Sequence, residues 1–148
     1  MPSSVLEIRD LVVEIPTRRG VLRPVDGVSF SITAGETLGV VGESGAGKSM
    51  MGAAVIGLLD GATRIASGEV WLRGERIDTL SRARMRAVRG RHIGTVFQDP
   101  LTSLNPLKTV GEQLSETIRT HLAVGRREAE ARALQALRDV GIPGAEAR

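Results

Sequence analysis

An eight-residue segment has the residue types and the spacing of a phosphate-binding loop. Residues 42–49 read Gly-Glu-Ser-Gly-Ala-Gly-Lys-Ser and fit the pattern G-x-x-x-x-G-K-[ST] at every fixed position. Lys48 would bring a positive charge to the β and γ phosphates, and Ser49 would offer a hydroxyl to Mg²⁺. Three glycines let backbone N–H groups approach an anion without side chains in the way: Gly42, Gly45 and Gly47. The segment therefore predicts a nucleotide site that uses Mg²⁺.

The sequence on both sides of this loop favours a phosphate site over a glycine-rich surface turn that happens to contain a lysine. Residues 37–41 are a short apolar run, which predicts a buried parallel strand. Residues 50–59 are apolar at nearly every position, which predicts a helix that begins near Lys48 and packs against a sheet. The N-terminus of such a helix adds partial positive charge at the loop. The remaining loop residues, which we expect to shape it, are Glu43, Ser44 and Ala46.

Composition places the chain among ordinary globular proteins. It has 148 residues, of which 41% are hydrophobic and 25% charged, and no apolar run approaches the roughly 20 residues that cross a bilayer. No export signal is visible and cysteine is absent, which fits a cytosolic protein. The two histidines lack metal-ligand spacing. A run of arginines has no interleaved aromatic residues, so a solvated face is favoured over a nucleic-acid surface: Arg82, Arg84, Arg86, Arg89 and Arg91.

Periodicity predicts an α/β arrangement around the loop. Alternating apolar and polar residues, or short apolar runs, predict strands at residues 5–15, 28–32, 68–72 and 93–97. Helical spacing predicts helices at residues 81–88, 110–121 and 126–140, the last of which Gly141 stops. An apolar stripe on the last helix comprises Ala129, Ala133, Leu134, Leu137 and Val140. Residues 145–148 are predicted to have no structure of their own.

Two further strings carry a family resemblance. With the phosphate loop, residues 96–100 (VFQDP) and 101–106 (LTSLNP) resemble the ATP-binding subunits of ABC transporters. Residues 97–106, followed by 110–113 (VGEQ), are similar to the branch that imports oligopeptides, dipeptides or nickel. The resemblance implies an α/β P-loop NTPase core with an antiparallel β edge in residues 1–99. Residues 100–148 would then begin a helical subdomain, incomplete in these 148 residues.

The same resemblance implies cofactors, partners and a location. The cofactors would be ATP and Mg²⁺. Gln98 matches the family's glutamine that reaches Mg²⁺ and the attacking water; its amide oxygen suits a metal or water, while a polar residue that caps a strand end is the alternative. The partners would be a second ATP-binding subunit and membrane permease subunits, with no nucleic acid, at the inner face of the cell membrane. The leucines Leu101, Leu104 and Leu107 would either meet the permease or be buried locally.

The 148 residues lack other motifs that the resemblance implies. They contain no Leu-Ser-Gly-Gly-Gln signature, no Walker B strand that ends in Asp-Glu, and no aromatic residue before Phe30 on which adenine could stack. Only Ile15, Val21 and Leu22 offer apolar contact near that place. We therefore expect this chain to bind ATP weakly and to hydrolyse none. Two alternatives stay open: a short non-catalytic module that modulates an intact ABC subunit, and a P-loop ATPase of the DNA-repair type.

Overall fold

The computed structural model describes residues 4–98 and 103–147. It divides into two compact units, one up to Arg89 and one from Gly90 onward. The sequence-based boundary between residues 99 and 100 stays a prediction, since both of those residues lie outside the described ranges.

The first unit is built on a four-stranded antiparallel sheet. The strands are β1 (Ser4–Thr17), β2 (Gly20–Thr33), β3 (Arg64–Leu72) and β4 (Glu75–Arg76), in the order β2-β1-β3-β4. Alternating apolar residues give β1 one core-facing side, and its central place lets that side pack on both neighbours. Its fully buried side chains, together with one from β3, form the centre of the core: Ile8, Leu11, Val13 and Val70.

Two short helices complete this unit. Helix α1 (Lys48–Val55) packs against β1, β2 and β3 and buries Ala54. The N-cap of helix α2 (Arg82–Val88) is Ser81, whose hydroxyl accepts a hydrogen bond of 3.3 Å from the Arg84 N–H. It buries Met85 and Val88.

The second unit is a helical hairpin. Helix α3 (Val110–His121) begins with a capping box, in which Thr109 Oγ1 accepts from the Glu112 N–H at 3.1 Å and Glu112 Oε2 accepts from the Thr109 N–H at 2.9 Å. Helix α4 (Arg126–Asp139) packs on α3. Small buried residues let the two helices approach closely, namely Ser115, Ala129 and Ala133, and Leu137 is buried as well.

The α/β class and the antiparallel β edge are confirmed, but two predicted strands are wrong. Neither residues 37–41 nor residues 93–97 form a strand, and Val41 and Val96 are each 93% exposed. A strand exists only when a neighbouring strand pairs with it along its length, and in the described residues these two segments belong to no sheet; residues 93–97 have only the bond from the Gly90 N–H to the Ile93 carbonyl, at 2.8 Å.

Smaller corrections concern the helices and the C-terminal end. Val140, predicted to belong to the apolar stripe of the last helix, lies just beyond α4 and is 73% exposed. Ala145–Ala147 forms a short 3-10 helix, where no structure was predicted. No helix in the described ranges is both long enough and apolar enough to cross a membrane.

Candidate functional site

The predicted phosphate loop leads directly into α1. Gly45 and Gly47 have φ angles of 85° and 84°, in the left-handed region that favours glycine. The Ala46 N–H donates to the Glu43 carbonyl at 3.2 Å, and the Met51 N–H donates to the Gly47 carbonyl at 2.8 Å. The first bond closes the loop and the second starts the helix. The prediction that a helix begins near Lys48 is confirmed.

Lys48 folds back over the loop. Its Nζ donates to the carbonyl oxygens of Gly42 and Glu43, both at 2.6 Å. These bonds hold the ammonium against the backbone of the loop. A cation in this place can exchange carbonyl partners for the oxygens of an anion, and the charge-assisted bonds to the anion are the stronger ones.

The N-terminus of α1 adds donors to this space. Its N-cap is Gly47, which has no side chain to accept from the first-turn N–H groups, and the first turn contains no acidic residue. Those N–H groups and the helix dipole favour an anion. The hydroxyl-bearing Ser49 follows Lys48 in this turn and is exposed.

The position of the loop is fixed by a close approach to β2. A Cβ placed on Gly47 would lie 2.0 Å from the Pro24 carbonyl oxygen and 3.6 Å from Cγ2 of Val25. Only a residue without a side chain fits there. The backbone of β2 therefore supports the loop at the residue where α1 begins.

The aliphatic residues expected near adenine lie on the same hairpin as Pro24. Ile15 pairs with Leu22 across β1 and β2, and Val21 and Leu22 are each 57% exposed. Leu22 precedes Pro24 by two residues, a distance of about 7 Å along a strand. The hairpin thus presents an aliphatic surface close to the loop.

The other predicted site residue, Gln98, lies in the second unit. Its side chain is exposed, and it follows Val96 and Phe97 in a segment without strand pairing. The residues predicted to follow it in the motif, Asp99, Pro100, Leu101 and Thr102, lie outside the described ranges. The structure brings together residues 42–49; the assignment of Gln98 to the same site stays a prediction.

The sequence of the chain matches the model of the ABC transporter family over residues 25–148. The chain belongs to the ABC transporter family. It is 42% identical over 145 residues to the oligopeptide transport ATP-binding protein AmiE of Streptococcus pneumoniae, a match that covers 97% of the chain and 41% of the relative. It is 40% identical over 144 residues to OppD of Bacillus subtilis, with 97% and 40% covered. This ABC chain thus spans about two fifths of the length of these relatives.

Solved structures support the fold. The ATP-binding cassette MJ0796, determined as a dimer in a post-hydrolysis state bound to ADP and Pi, superposes with a TM-score of 0.78 at 24% sequence identity. The match covers 90% of the ABC chain and 56% of that structure. A further dimeric structure of the same cassette gives a TM-score of 0.77. The fold predicted from the family resemblance is therefore confirmed.

Two features of the site could not be read from the sequence. One is the contact of Gly47 with Pro24. The motif requires a glycine at this position, but it does not say which residue packs against it. The other is Arg89, whose guanidinium donates to two carbonyls at the C-terminal end of α1. Arg89 appeared only as one member of an arginine-rich run. Because glycine commonly ends a helix, Gly57 was the signal in the sequence for the C-terminus of α1.

Proposed function

We propose that this chain binds ATP through the loop at residues 42–49. The observation that carries the proposal is the arrangement of Lys48, with its Nζ 2.6 Å from two loop carbonyls, over a helix N-terminus whose cap has no side chain. The positive charge of Lys48 and the free N–H groups of the helix N-terminus lie close together there, as a phosphate group requires. The relatives named as ATP-binding proteins support ATP as the anion.

In this proposal Lys48 releases the Gly42 and Glu43 carbonyls and donates to the β and γ phosphates. Gly45 and Gly47 keep side chains away from the phosphates, and the left-handed conformation at both positions turns the loop backbone toward them. The loop residues Glu43, Ser44 and Ala46 contribute through their backbone. Because the loop is held by β2 at Pro24, these donors are in place before the anion arrives.

Mg²⁺ would be held by Ser49 and Gln98 together with the phosphates. A hydroxyl and an amide oxygen are hard donors that suit this ion, and the exposed side chain of Ser49 at the start of α1 is free to turn toward it. When bound, Mg²⁺ neutralises phosphate charge. The rest of its shell would come from water and from groups of the phosphates.

In the whole protein, we propose that ATP drives the import of peptides, or of nickel, through a membrane permease at the inner face of the cell membrane. The names of AmiE and OppD support oligopeptides. A second ATP-binding subunit would complete the assembly, and the dimeric state of the structural neighbour supports that partner. In this arrangement, residues 1–99 would belong to the ATP-binding core and residues 100–148 to a helical subdomain.

The test is a calorimetric titration of the purified protein with MgATP, compared with its Lys48→Ala variant. Loss of the ammonium should weaken binding by about 1.5 to 3 kcal/mol, the range for a charge-assisted hydrogen bond. The chain offers a matched control, since its other lysine, Lys108, pairs with Glu116 at 2.6 Å on the second unit.

Lys108→Ala should leave MgATP binding unchanged. Equal affinity in the Lys48→Ala variant and the unmodified protein would refute the assignment of the loop. Equal losses in both lysine variants would show that binding depends on overall charge and not on this site.

A further inference from the structure

Helix α1 ends in a glycine C-cap motif. The carbonyls of Ile56 and Gly57 are left to accept hydrogen bonds from a donor elsewhere in the chain. The Gly57 N–H donates to the Ala54 carbonyl at 3.1 Å, and the Leu58 N–H donates to the Ala53 carbonyl at 2.8 Å. Gly57 has a φ of 65°, as such a motif requires. The carbonyls of Ile56 and Gly57 point beyond the helix end, where a helix presents partial negative charge.

The side chain of Arg89 is the hydrogen-bond donor to both of these carbonyls. Its Nε donates to the Ile56 carbonyl and its Nη2 to the Gly57 carbonyl, each at 2.7 Å. Helix α1 has no basic residue in its own last turn. The positive charge at its C-terminus thus comes from a residue 32 positions later in the chain than Gly57.

The arginine is itself held in place. It is the C-cap of α2, where its N–H donates to the Met85 carbonyl at 3.0 Å. A Cβ placed on Gly57 would lie 3.2 Å from Nη2 of Arg89 and 3.3 Å from Cγ of Met85, so α2 fits closely against the end of α1. Since Met85 and Val88 are buried, α2 is a fixed support for the guanidinium.

Helix α1 is short enough for a contact at one end to decide where the other end lies. It has eight residues, about 12 Å in length, with Lys48 and Ser49 in its first turn. Of these residues, only Ala54 is fully buried. Five of its other residues are half-buried, so the contacts at its two ends, of Gly47 with β2 and of Arg89 with the Ile56 and Gly57 carbonyls, add to a modest packing face in orienting the helix.

We propose that Arg89 is a positioning residue of the phosphate site, which acts by holding α1 and through it Lys48 and Ser49. The proposal rests on the proposed ATP binding. The sequence predicted only a solvated face for the arginine-rich run, whereas this proposal gives one of its members, Arg89, a role in the site. Arg84 on the same helix differs, because it pairs with Glu75 at the surface, with both side chains more than half exposed.

The experiment compares Arg89→Ala, Arg89→Lys and Arg84→Ala in the purified protein, with MgATP titration and amide hydrogen exchange of α1. We expect Arg89→Ala to weaken MgATP binding by about three- to tenfold, and to speed exchange in the last turn of α1 without nucleotide. Arg89→Lys should retain part of the affinity, since an ammonium can reach one of the two carbonyls. Millimolar guanidinium chloride, far below denaturing concentrations, should restore binding to Arg89→Ala only.

Unchanged MgATP affinity in Arg89→Ala, or equal losses in Arg89→Ala and Arg84→Ala, would overturn the proposal. Should Arg89→Ala fail to fold, Arg89→Lys decides: unchanged MgATP affinity and unchanged exchange of α1 in a folded Arg89→Lys variant would overturn the proposal. Lys48→Ala separates the two proposals. If Lys48→Ala binds MgATP normally, the ATP site itself is refuted; if only Lys48→Ala loses affinity, the site stands and the role of Arg89 is wrong.

Discussion

At Gly47, both the backbone conformation of the loop and the packing against β2 require a glycine. Its φ of 84° is unfavourable for any residue with a Cβ, and a Cβ would lie 2.0 Å from the Pro24 carbonyl oxygen. We predict that Gly47→Ala lowers the free energy of unfolding by about 1 to 3 kcal/mol and displaces the loop from β2. Urea denaturation measures the first effect, and MgATP titration should show weakened binding.

Gly52 provides the matched control in the same helix. A Cβ placed there meets nothing within 4 Å and the φ angle is not in the left-handed region, so Gly52→Ala should be neutral or stabilise the protein by up to about 1 kcal/mol. If both substitutions change stability alike, the destabilisation at Gly47 comes from the helix in general and not from its contact with Pro24.

At this scale the sequence predicted the local conformation of the chain better than its long-range contacts. The spacing of Gly42, Gly47 and Lys48 predicted a phosphate loop because the pattern is local, and α1 begins where it predicted. The contacts of Gly47 with Pro24 and of Arg89 with α1 join residues far apart in the chain. Nothing in an arginine-rich run distinguishes the one guanidinium that meets a helix end from its neighbours.

At the scale of elements, one buried carboxylate connects three strands. Glu14 on β1 accepts hydrogen bonds of 3.1 Å from Arg23 on β2 and from Arg64 on β3. The residue is 8% exposed. The two guanidiniums, with that of Arg64 first, hold the pKa of the Glu14 carboxyl below its usual value. Because the folded-state pKa is lowered, this contribution to stability is present above the unfolded-state pKa and is lost as the pH falls through the folded-state pKa.

We predict that Glu14→Gln lowers the melting temperature at neutral pH and that the difference from the unmodified protein shrinks as the pH falls from about 7 to about 3. Below the folded-state pKa of Glu14, both proteins carry an uncharged group at this position. Glu128→Gln is the control, since Glu128 pairs with Arg132 within α4 and about half of each side chain is exposed. A gap between Glu14→Gln and the unmodified protein that stays constant with pH would show that the ion pairs do not stabilise the sheet.

Helices and strands differ in how far the sequence predicted them. Helices α3 and α4 lie close to where the periodicity placed them, because helical hydrogen bonds and the capping box of Thr109 and Glu112 are local. Residues 37–41 and 93–97 have strand-like sequences but no strand pairing in the described structure. Apolar runs indicate that a segment suits a sheet; they do not say which partner accepts its hydrogen bonds.

At the scale of the whole molecule, those two segments leave apolar side chains and backbone groups exposed to solvent. Val41 and Val96 are each 93% exposed, and Phe97 is 56% exposed. Exposed apolar segments with strand-like sequences can pair or pack with another chain. We predict that the 148-residue chain associates at micromolar concentrations, and that Val41→Lys and Val96→Lys shift it toward monomer in sedimentation velocity measurements.

Val140→Lys is the control for added charge, because Val140 is also an exposed valine, at 73%, but lies at the end of a helix and not in one of these two segments. If a lysine at any of the three positions reduces association equally, general charge repulsion is the cause. If only the substitutions at Val41 and Val96 do so, the segments at residues 37–41 and 93–97 are the surfaces that associate. A chain that stays monomeric without substitution would contradict the prediction that these segments drive association.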